Sequence, residues 1–316
     1  MNLEISFIVP VYNRPKEIDE LLQSLIRQTD TLFEVVLVED GSSEKCNTIA
    51  DRYKDQLSIH YFFKENSGAG ESRNFGMQQA SGNYFILLDS DVLLPEHYVS
   101  EVKKALKSNF TEAFGGPDAA HQSFTPLQKA INYSMTSVLT TGGIRGKNKS
   151  VGTFQPRSFN FGLSRVAFNQ TGGFSNLKTG EDIDLCFRLW EQGFSTPLIE
   201  KAFVYHKRRS SIREFFYQTF GFGTARPLLT QRFPKTAKIT YWFPSLFIMG
   251  LELSIWFAIF GFWPLLYFYA AYLTLIFFDS LFQNKSVYVA FLSIFTSLTQ
   301  FLGYGLGFLT SIFCKK

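Results

Sequence analysis

The sequence predicts an α/β fold: a mostly parallel sheet with helices on both faces, then a C-terminal hydrophobic helical membrane region. Three observations carry this. Apolar runs of strand length alternate with amphipathic helical stretches up to about residue 210. Polar and acidic residues collect where those runs end. From about Thr240 charge nearly vanishes, and Phe, Leu, Tyr, Ile and Trp take over. The chain therefore divides into a polar part, 1–210, a basic and aromatic segment, 211–240, and an apolar tail, 241–316.

The first run, Ile5 to Val11, stops at Tyr12-Asn13-Arg14-Pro15. Pro15 suits a first helical turn, and Leu21, Leu22, Leu25 and Ile26 give that helix an apolar face. A second buried strand, 33–38, ends in Glu39-Asp40-Gly41-Ser42. A helix to about Gln56 and a strand at 59–63 follow. Asn66-Ser67-Gly68-Ala69-Gly70 then leads into a helix over 71–80. Gly-Ala-Gly-Glu-Ser-Arg lacks the third Gly of a dinucleotide fingerprint and follows the third strand, which argues against NAD(P). Arg73, on the first turns of this helix, can either reach a diphosphate or form a surface ion pair.

The strand Tyr84 to Leu88 is the centre of the pattern. It ends in Asp89-Ser90-Asp91, and positions i and i+2 of an extended backbone point the same way. Two hard oxygen donors at the carboxyl end of a strand suit Mg²⁺ or Mn²⁺ carrying a phosphate; alone, they also fit a solvated turn.

A helix is predicted over 95–107 and another near 126–141. The piece Gly142-Gly143-Ile144-Arg145-Gly146-Lys147 is a basic loop, either an active-site lid or an ordinary surface loop. Arg157-Ser158-Phe159-Asn160-Phe161-Gly162-Leu163-Ser164-Arg165 and Gly172-Gly173-Phe174 precede a second acidic cluster, Glu181-Asp182-Ile183-Asp184. That cluster opens a helix ending at Gly193. Acids at a helix N-terminus are favoured by the macrodipole, but capping alone does not require three in four residues. A strand over 198–205 then delivers His206, a candidate metal ligand.

Taken in order, these pieces resemble the family 2 glycosyltransferases of the GT-A fold. The series is Val9-Pro10-Val11-Tyr12-Asn13, Val38-Glu39-Asp40-Gly41-Ser42, Gly70-Glu71-Ser72-Arg73-Asn74, Leu87-Leu88-Asp89-Ser90-Asp91, Gly172-Gly173-Phe174 and Gly180-Glu181-Asp182-Ile183-Asp184-Leu185. Glu39 departs from the commoner Asp, and no complete Gln-x-x-Arg-Trp element of the processive synthases is present. The resemblance implies that Pro10, Tyr12, Asn13 and Asp40 hold the base and ribose of a UDP- or GDP-sugar. Asp89 and Asp91 become the DxD pair, with Mg²⁺ or Mn²⁺ bridging the diphosphate and His206 a further ligand. Asp182 becomes the catalytic base, with Glu181 beside it, and Asn160 and Arg165 fall in the acceptor-side or donor-sugar wall. The implied reaction is a single in-line displacement that inverts the anomeric centre, in polysaccharide biosynthesis.

Three stretches, 242–260, 264–282 and 287–313, each supply the ~20 apolar residues that a ~30 Å bilayer core demands. Glu252 and an early Pro leave the first open to an interfacial role. Lys207, Arg208, Arg209, Arg213, Arg226, Arg232, Lys235 and Lys238 are interleaved with aromatics, a surface suited to membrane lipids on the cytoplasmic side. Lys315 and Lys316 favour the same side, which implies two crossings, or three hydrophobic helices with one lying flat; three full spans would put them outside. With no signal segment visible at Met1-Asn2-Leu3-Glu4-Ile5, the expectation is a multi-pass protein of the inner (cytoplasmic) membrane with its catalytic part in the cytoplasm. An anchored enzyme of this kind points to a lipid-linked acceptor or polyprenyl phosphate. The net charge of +4 gives no reason to expect nucleic acid, and Cys46, Cys186 and Cys314 show no metal spacing.

The alternative is a non-catalytic membrane scaffold that binds a nucleotide-sugar; intact Asp89, Asp91 and Asp182 favour the enzyme. A transporter finds little room in three helices. A nucleotidyltransferase leaves the Glu181-Asp182 cluster without a task.

Overall fold

The computed structural model describes residues 3–121, 123–142 and 154–314. The basic loop expected at 142–147 lies outside them beyond Gly142, as do Lys315 and Lys316. In chain order the elements are β1 (Ile5–Val11), α1 (Pro15–Ile26), β2 (Phe33–Asp40), α2 (Asn47–Tyr53), β3 (Ser58–Lys64), α3 (Ala69–Gln79), β4 (Tyr84–Leu88), β5 (Val92–Leu93) and α4 (Tyr98–Ser108). Then come β6 (Ala113–Gly115), β7 (Asp118–Ala119), α5 (Pro126–Thr136), α6 (Val138–Thr141), β8 (Asn160–Ser164), α7 (Arg165–Thr171), α8 (Glu181–Glu191) and β9 (Val204–His206). The chain closes with α9 (Ile212–Arg232), two 3-10 turns, α10 (Phe243–Ile259), α11 (Pro264–Asn284) and α12 (Val287–Phe313).

These elements form two compact units, 3–121 with 154–207, and 123–142 with 208–314. The first holds a six-stranded sheet in the order β3-β2-β1-β4-β8-β6. β3, β2, β1 and β4 are parallel, and β8 runs antiparallel to both β4 and β6. Strand alternation decides which helices cover which face. Phe7, Val9, Val35, Leu37, Ile86 and Leu88 pack with Ile18, Leu21 and Leu22 of α1 and Val99 and Val102 of α4. Their neighbours Ile8, Val36, Val38, Phe85 and Leu87 pack on the other face with Met77 of α3, Phe168 of α7 and Leu185 and Leu189 of α8. Each such fully buried side chain is worth roughly 1.5–3 kcal/mol, so the two faces together fix the sheet. α3 lies close on it because Gly76 has no side chain; a Cβ there would meet Ile8 Cγ2 at 2.6 Å.

Three expectations need correction. The strand expected over 198–205 shortens to β9, because Ala202 N bonds Ile199 O in a turn and leaves one isolated bridge at Leu198. His206 is therefore the last residue of that strand, paired with Val92 of β5 in a small second sheet. The helix expected over 126–141 breaks at Ser137, whose extended backbone and side chain cap α6. The helix expected from residue 95 begins at Tyr98.

The second unit is built around α12. Its first half meets α5 and α11 through hydroxyls: Ser134 Oγ lies 2.6 Å from Thr296 Oγ1, and Ser280 Oγ lies 2.7 Å from Ser293 Oγ. Tyr133 of α5 donates to Asp279 Oδ2 on α11 at 2.6 Å. Its second half meets α9 backbone to backbone, since a Cβ on Gly307 would run into the carbonyl of Phe220. Residues 126–141, expected inside the polar part, thus pack among the C-terminal helices. Among the described residues three helices are long and apolar enough to cross a membrane, Ile239–Ile259, Pro264–Asn284 and Val287–Phe313, which suggests membrane association. Leu246, Met249, Trp256, Phe268 and Phe282 on the first two are exposed.

Candidate active site

The site lies at the carboxyl edge of the parallel strands, where β1, β2 and β4 end side by side. Register sets the alignment: Val11 sits opposite Glu39, and Asp40 opposite Lys64. Asp40 is buried; it accepts from the Lys64 ammonium and from the backbone N–H groups of Ser67 and Gly68, both at 2.9 Å. Burial alone would raise its pKa, but these hydrogen bonds outweigh it and hold Asp40 below the usual carboxylate range. Pro10 is partly buried in β1, and the Tyr12 ring is 54% exposed beside it. Asn13 turns the chain with φ 52°, and its side-chain oxygen accepts from Ser43 N at 2.9 Å and Glu44 N at 3.0 Å.

Glu39, the departure from the commoner Asp, is fully buried. Its carboxylate accepts from Ser42 Oγ, from Cys46 N at 2.8 Å and from Tyr61 OH at 3.2 Å. The longer acid stitches the turn after β2 to α2 and β3.

At the end of β4, one ligand atom each from Asp89, Asp91 and His206 lies within 4.8 Å of the other two. His206 arrives through the β5–β9 pairing, with Nε2 3.2 Å from Asp91 Oδ1. Its ring stacks on Phe159 at 4.6 Å, and its Nδ1 lies 3.8 Å from Asp118 Oδ2, a side chain with no exposure. Two carboxylates and an imidazole form a donor set that fits Mg²⁺ or, better, Mn²⁺.

The second acidic cluster converges on the first through α3. Arg73, buried, places Nη2 2.6 Å from Asp89 Oδ1 and Nη1 3.4 Å from Glu181 Oε1. One helical residue on, the Asn74 amide clamps the Gly-Gly-Phe segment, donating to Phe174 O at 2.9 Å and accepting from Phe174 N at 2.8 Å. That clamp positions α8, which opens at Gly180 with Glu181 and Asp182 in its first turn. Burial first, then the charge of Asp182, pushes the Glu181 pKa up to about 7 against the pull of Arg73. Asp184 serves packing: it accepts from Arg188 Nε at 2.8 Å, and Arg188 in turn holds the carbonyls of Thr171 and Gly173.

The structure places Asn160 and Arg165 at opposite ends of β4: Asn160 pairs with Leu88 beside Asp89, and Arg165 follows Ser164, which pairs with Tyr84. Asn160 is fully buried, accepting from Tyr98 OH at 2.6 Å and donating to Ala202 O at 2.8 Å. Because β8 is antiparallel to β4, Ser164 sits opposite Tyr84, and Arg165 binds the carbonyls of Ala80 and Gly82 at the far end of the strand. Arg157 and Asp118 also reach the site. Arg157 is buried with Nη1 3.7 Å from Asp182 Oδ1, and its Nε finds no hydrogen-bond partner among the described residues. Asp118 is an isolated charge with no spacing signal, and Arg157 shows in the sequence only as the first residue of the segment 157–165.

The family model described as Glycosyl transferase family 2 matches residues 6–172. An uncharacterized glycosyltransferase of Haemophilus influenzae is 29% identical, over 66% of this chain and 70% of the relative. One from Rickettsia bellii is 35% identical over 34% of this chain, but the match spans only 15% of that relative's length. Among solved structures, the mannosyltransferase PcManGT from Pyrobaculum calidifontis, in complex with GDP-Man and Mn²⁺, superposes with a TM-score of 0.62 at 15% identity. That likeness covers 100% of this chain and 89% of the other. It shows a shared fold.

Proposed function

The chain belongs to glycosyl transferase family 2, and from that premise we propose an inverting, metal-dependent transfer of a sugar from a nucleoside-diphosphate donor to an acceptor hydroxyl. The acceptor is proposed to be a lipid-linked glycan or polyprenyl phosphate at the cytoplasmic membrane face. The observation that carries this reading is the Arg73 bridge, whose guanidinium contacts both Asp89, one of the Asp89–Asp91–His206 group, and Glu181, 92 positions on and next in sequence to Asp182. A divalent ion held by Asp89, Asp91 and His206 would neutralise charge developing on the departing diphosphate.

The rest falls to the chain's own residues. The exposed Tyr12 ring offers a face to the base, and Pro10, Asn13 and Asp40 shape the turn beside it for the ribose. Arg73 holds the two acidic clusters at fixed separation. Asp182, at the start of α8, takes the proton of the acceptor hydroxyl. Burial and the neighbouring Asp182 charge push Glu181 toward neutrality, which eases the repulsion between the two acids. Support for a nucleotide-sugar donor and for Mn²⁺ comes from the mannosyltransferase neighbour, described with GDP-Man and Mn²⁺. Support for a lipid-linked acceptor comes from three helices able to cross a membrane and from the basic segment that precedes them.

The test offers the full chain a panel of UDP- and GDP-sugars with Mn²⁺, and both soluble and polyprenyl-phosphate-linked acceptors. The expected result is Mn²⁺-dependent transfer to the lipid-linked acceptor with inverted anomeric configuration. Use of soluble acceptors alone sinks the lipid assignment, and retained configuration sinks the single displacement.

A further inference from the structure

In the C-terminal unit, a cavity of about 470 Å³ opens between the last turns of α9, the 3-10 turn Ile239–Trp242 and the last turns of α12. That volume falls within the ~300–1,000 Å³ typical of sites for one small ligand. Its walls divide by chemistry. Leu228, Phe308 and Ile312 are apolar, whereas Lys238, Gln231 and Ser311 bring polar heads. Tyr241 also lines it, and Arg226 stacks on that ring with its guanidinium carbon 4.6 Å from the centroid.

Arg226 is the second, independent observation. It is buried, and among the described residues no carboxylate lies within 4.0 Å of it. Among the described residues its guanidinium donates to the Tyr241 phenol at 3.4 Å, and its charge also acts on the Tyr304 phenol. A buried guanidinium among neutral groups is costly unless an anion compensates it. The sequence supplies none nearby: between Glu214 and Glu252 there is no acidic residue, but there are Arg226, Arg232, Lys235 and Lys238.

We propose that this cavity binds the phosphate headgroup of an anionic phospholipid. The phosphate meets Lys238, Gln231 and Ser311 in the positive field of Arg226, and an acyl chain lies along Leu228, Phe308 and Ile312. A lipid fits better than a soluble anion because the cavity is bounded by the start of one candidate span, Ile239–Ile259, and the end of another, Val287–Phe313. Trp242, 38% exposed, sits where an interfacial aromatic belongs. The site is distinct from the sugar-transfer residues and does not rest on their assignment.

The test uses the full chain, delipidated in detergent, with native mass spectrometry and added phosphatidylglycerol or phosphatidylcholine. The wild type should retain one phosphatidylglycerol and shed phosphatidylcholine. Lys238→Glu, at an exposed position, should weaken retention about tenfold, the effect of one lost charge-assisted contact. Ser311→Trp should abolish retention by filling the cavity without changing charge. Equal retention of both lipids, or unchanged retention in both variants, overturns the proposal. So does displacement of phosphatidylglycerol by equimolar polyprenyl phosphate, which would make this an acceptor site. Binding of sn-glycerol 3-phosphate as tight as that of the lipid removes the acyl contribution and overturns it too.

Discussion

Arg73 Nη2 stands 2.6 Å from Asp89 Oδ1, joining the first turns of α3 to the carboxylate that ends β4. The same guanidinium reaches Glu181, so one buried cation balances acids from two distant parts of the chain. Removing it leaves like charges facing each other. Arg73→Met should therefore destabilise the protein by roughly 3 kcal/mol, while Arg73→Lys recovers part of the loss but not the forked geometry. Chemical denaturation in detergent measures both; equal stability of wild type and Arg73→Met would show that the bridge is dispensable.

Glu181 gives a pH signature of the metal-free protein. Its pKa is raised from 4.5 to about 7, so the stability tied to the neutral carboxyl is fully present below pH 4.5 and lost as pH rises through 7. Between those limits the wild type should lose about 3 kcal/mol more than Glu181→Gln. Unfolding in EDTA across pH 5 to 8 (two parallel series) checks it, and parallel curves would remove Glu181 from the account.

Asp118 is placed to steady His206. With its carboxylate 3.8 Å from Nδ1, it favours the tautomer that leaves Nε2 free to face Asp91 and a cation. Asp118→Asn should weaken Mn²⁺ binding roughly 10- to 100-fold. Direct Mn²⁺ titration by electron paramagnetic resonance reads the affinity; an unchanged value would leave Asp118 a packing residue.

In the C-terminal unit, Gly307 lets α12 touch the backbone of α9. Gly307→Leu should force the helices apart and cost roughly 1–3 kcal/mol of stability. Thermal unfolding in detergent tests this, and a melting temperature equal to the wild type would contradict the close contact.

Much of this was legible before any coordinates. The strands that build the parallel half alternate in a way that Phe7 and Ile8, or Ile86 and Leu87, make plain, since adjacent residues feed opposite layers. Asp89 and Asp91 announce themselves by spacing, and His206 by its place after an apolar run. Strand β8 escaped because Asn-Phe-Gly-Leu-Ser is short and interrupted by Gly162, which the Phe114 ring covers. Without β8, its direction is unknown, and so Arg165 was expected near Asn160 when antiparallel pairing puts the two at opposite ends of β4. Arg157 and Asp118 act through tertiary proximity alone. The packing of α5 on α12 was hidden for the same reason: Ser134 and Thr296 meet 162 positions apart.

The central claim is that Asp182 works on the acceptor while Asp89, Asp91 and His206 hold the donor through a cation. The most direct measurement compares Asp182→Asn with wild type for sugar transfer and, by calorimetry, for Mn²⁺-dependent donor binding. Transfer should fall by about 10²- to 10⁴-fold or more with donor affinity unchanged. Loss of donor binding in step with transfer, or transfer that persists at the wild-type rate, would contradict the account.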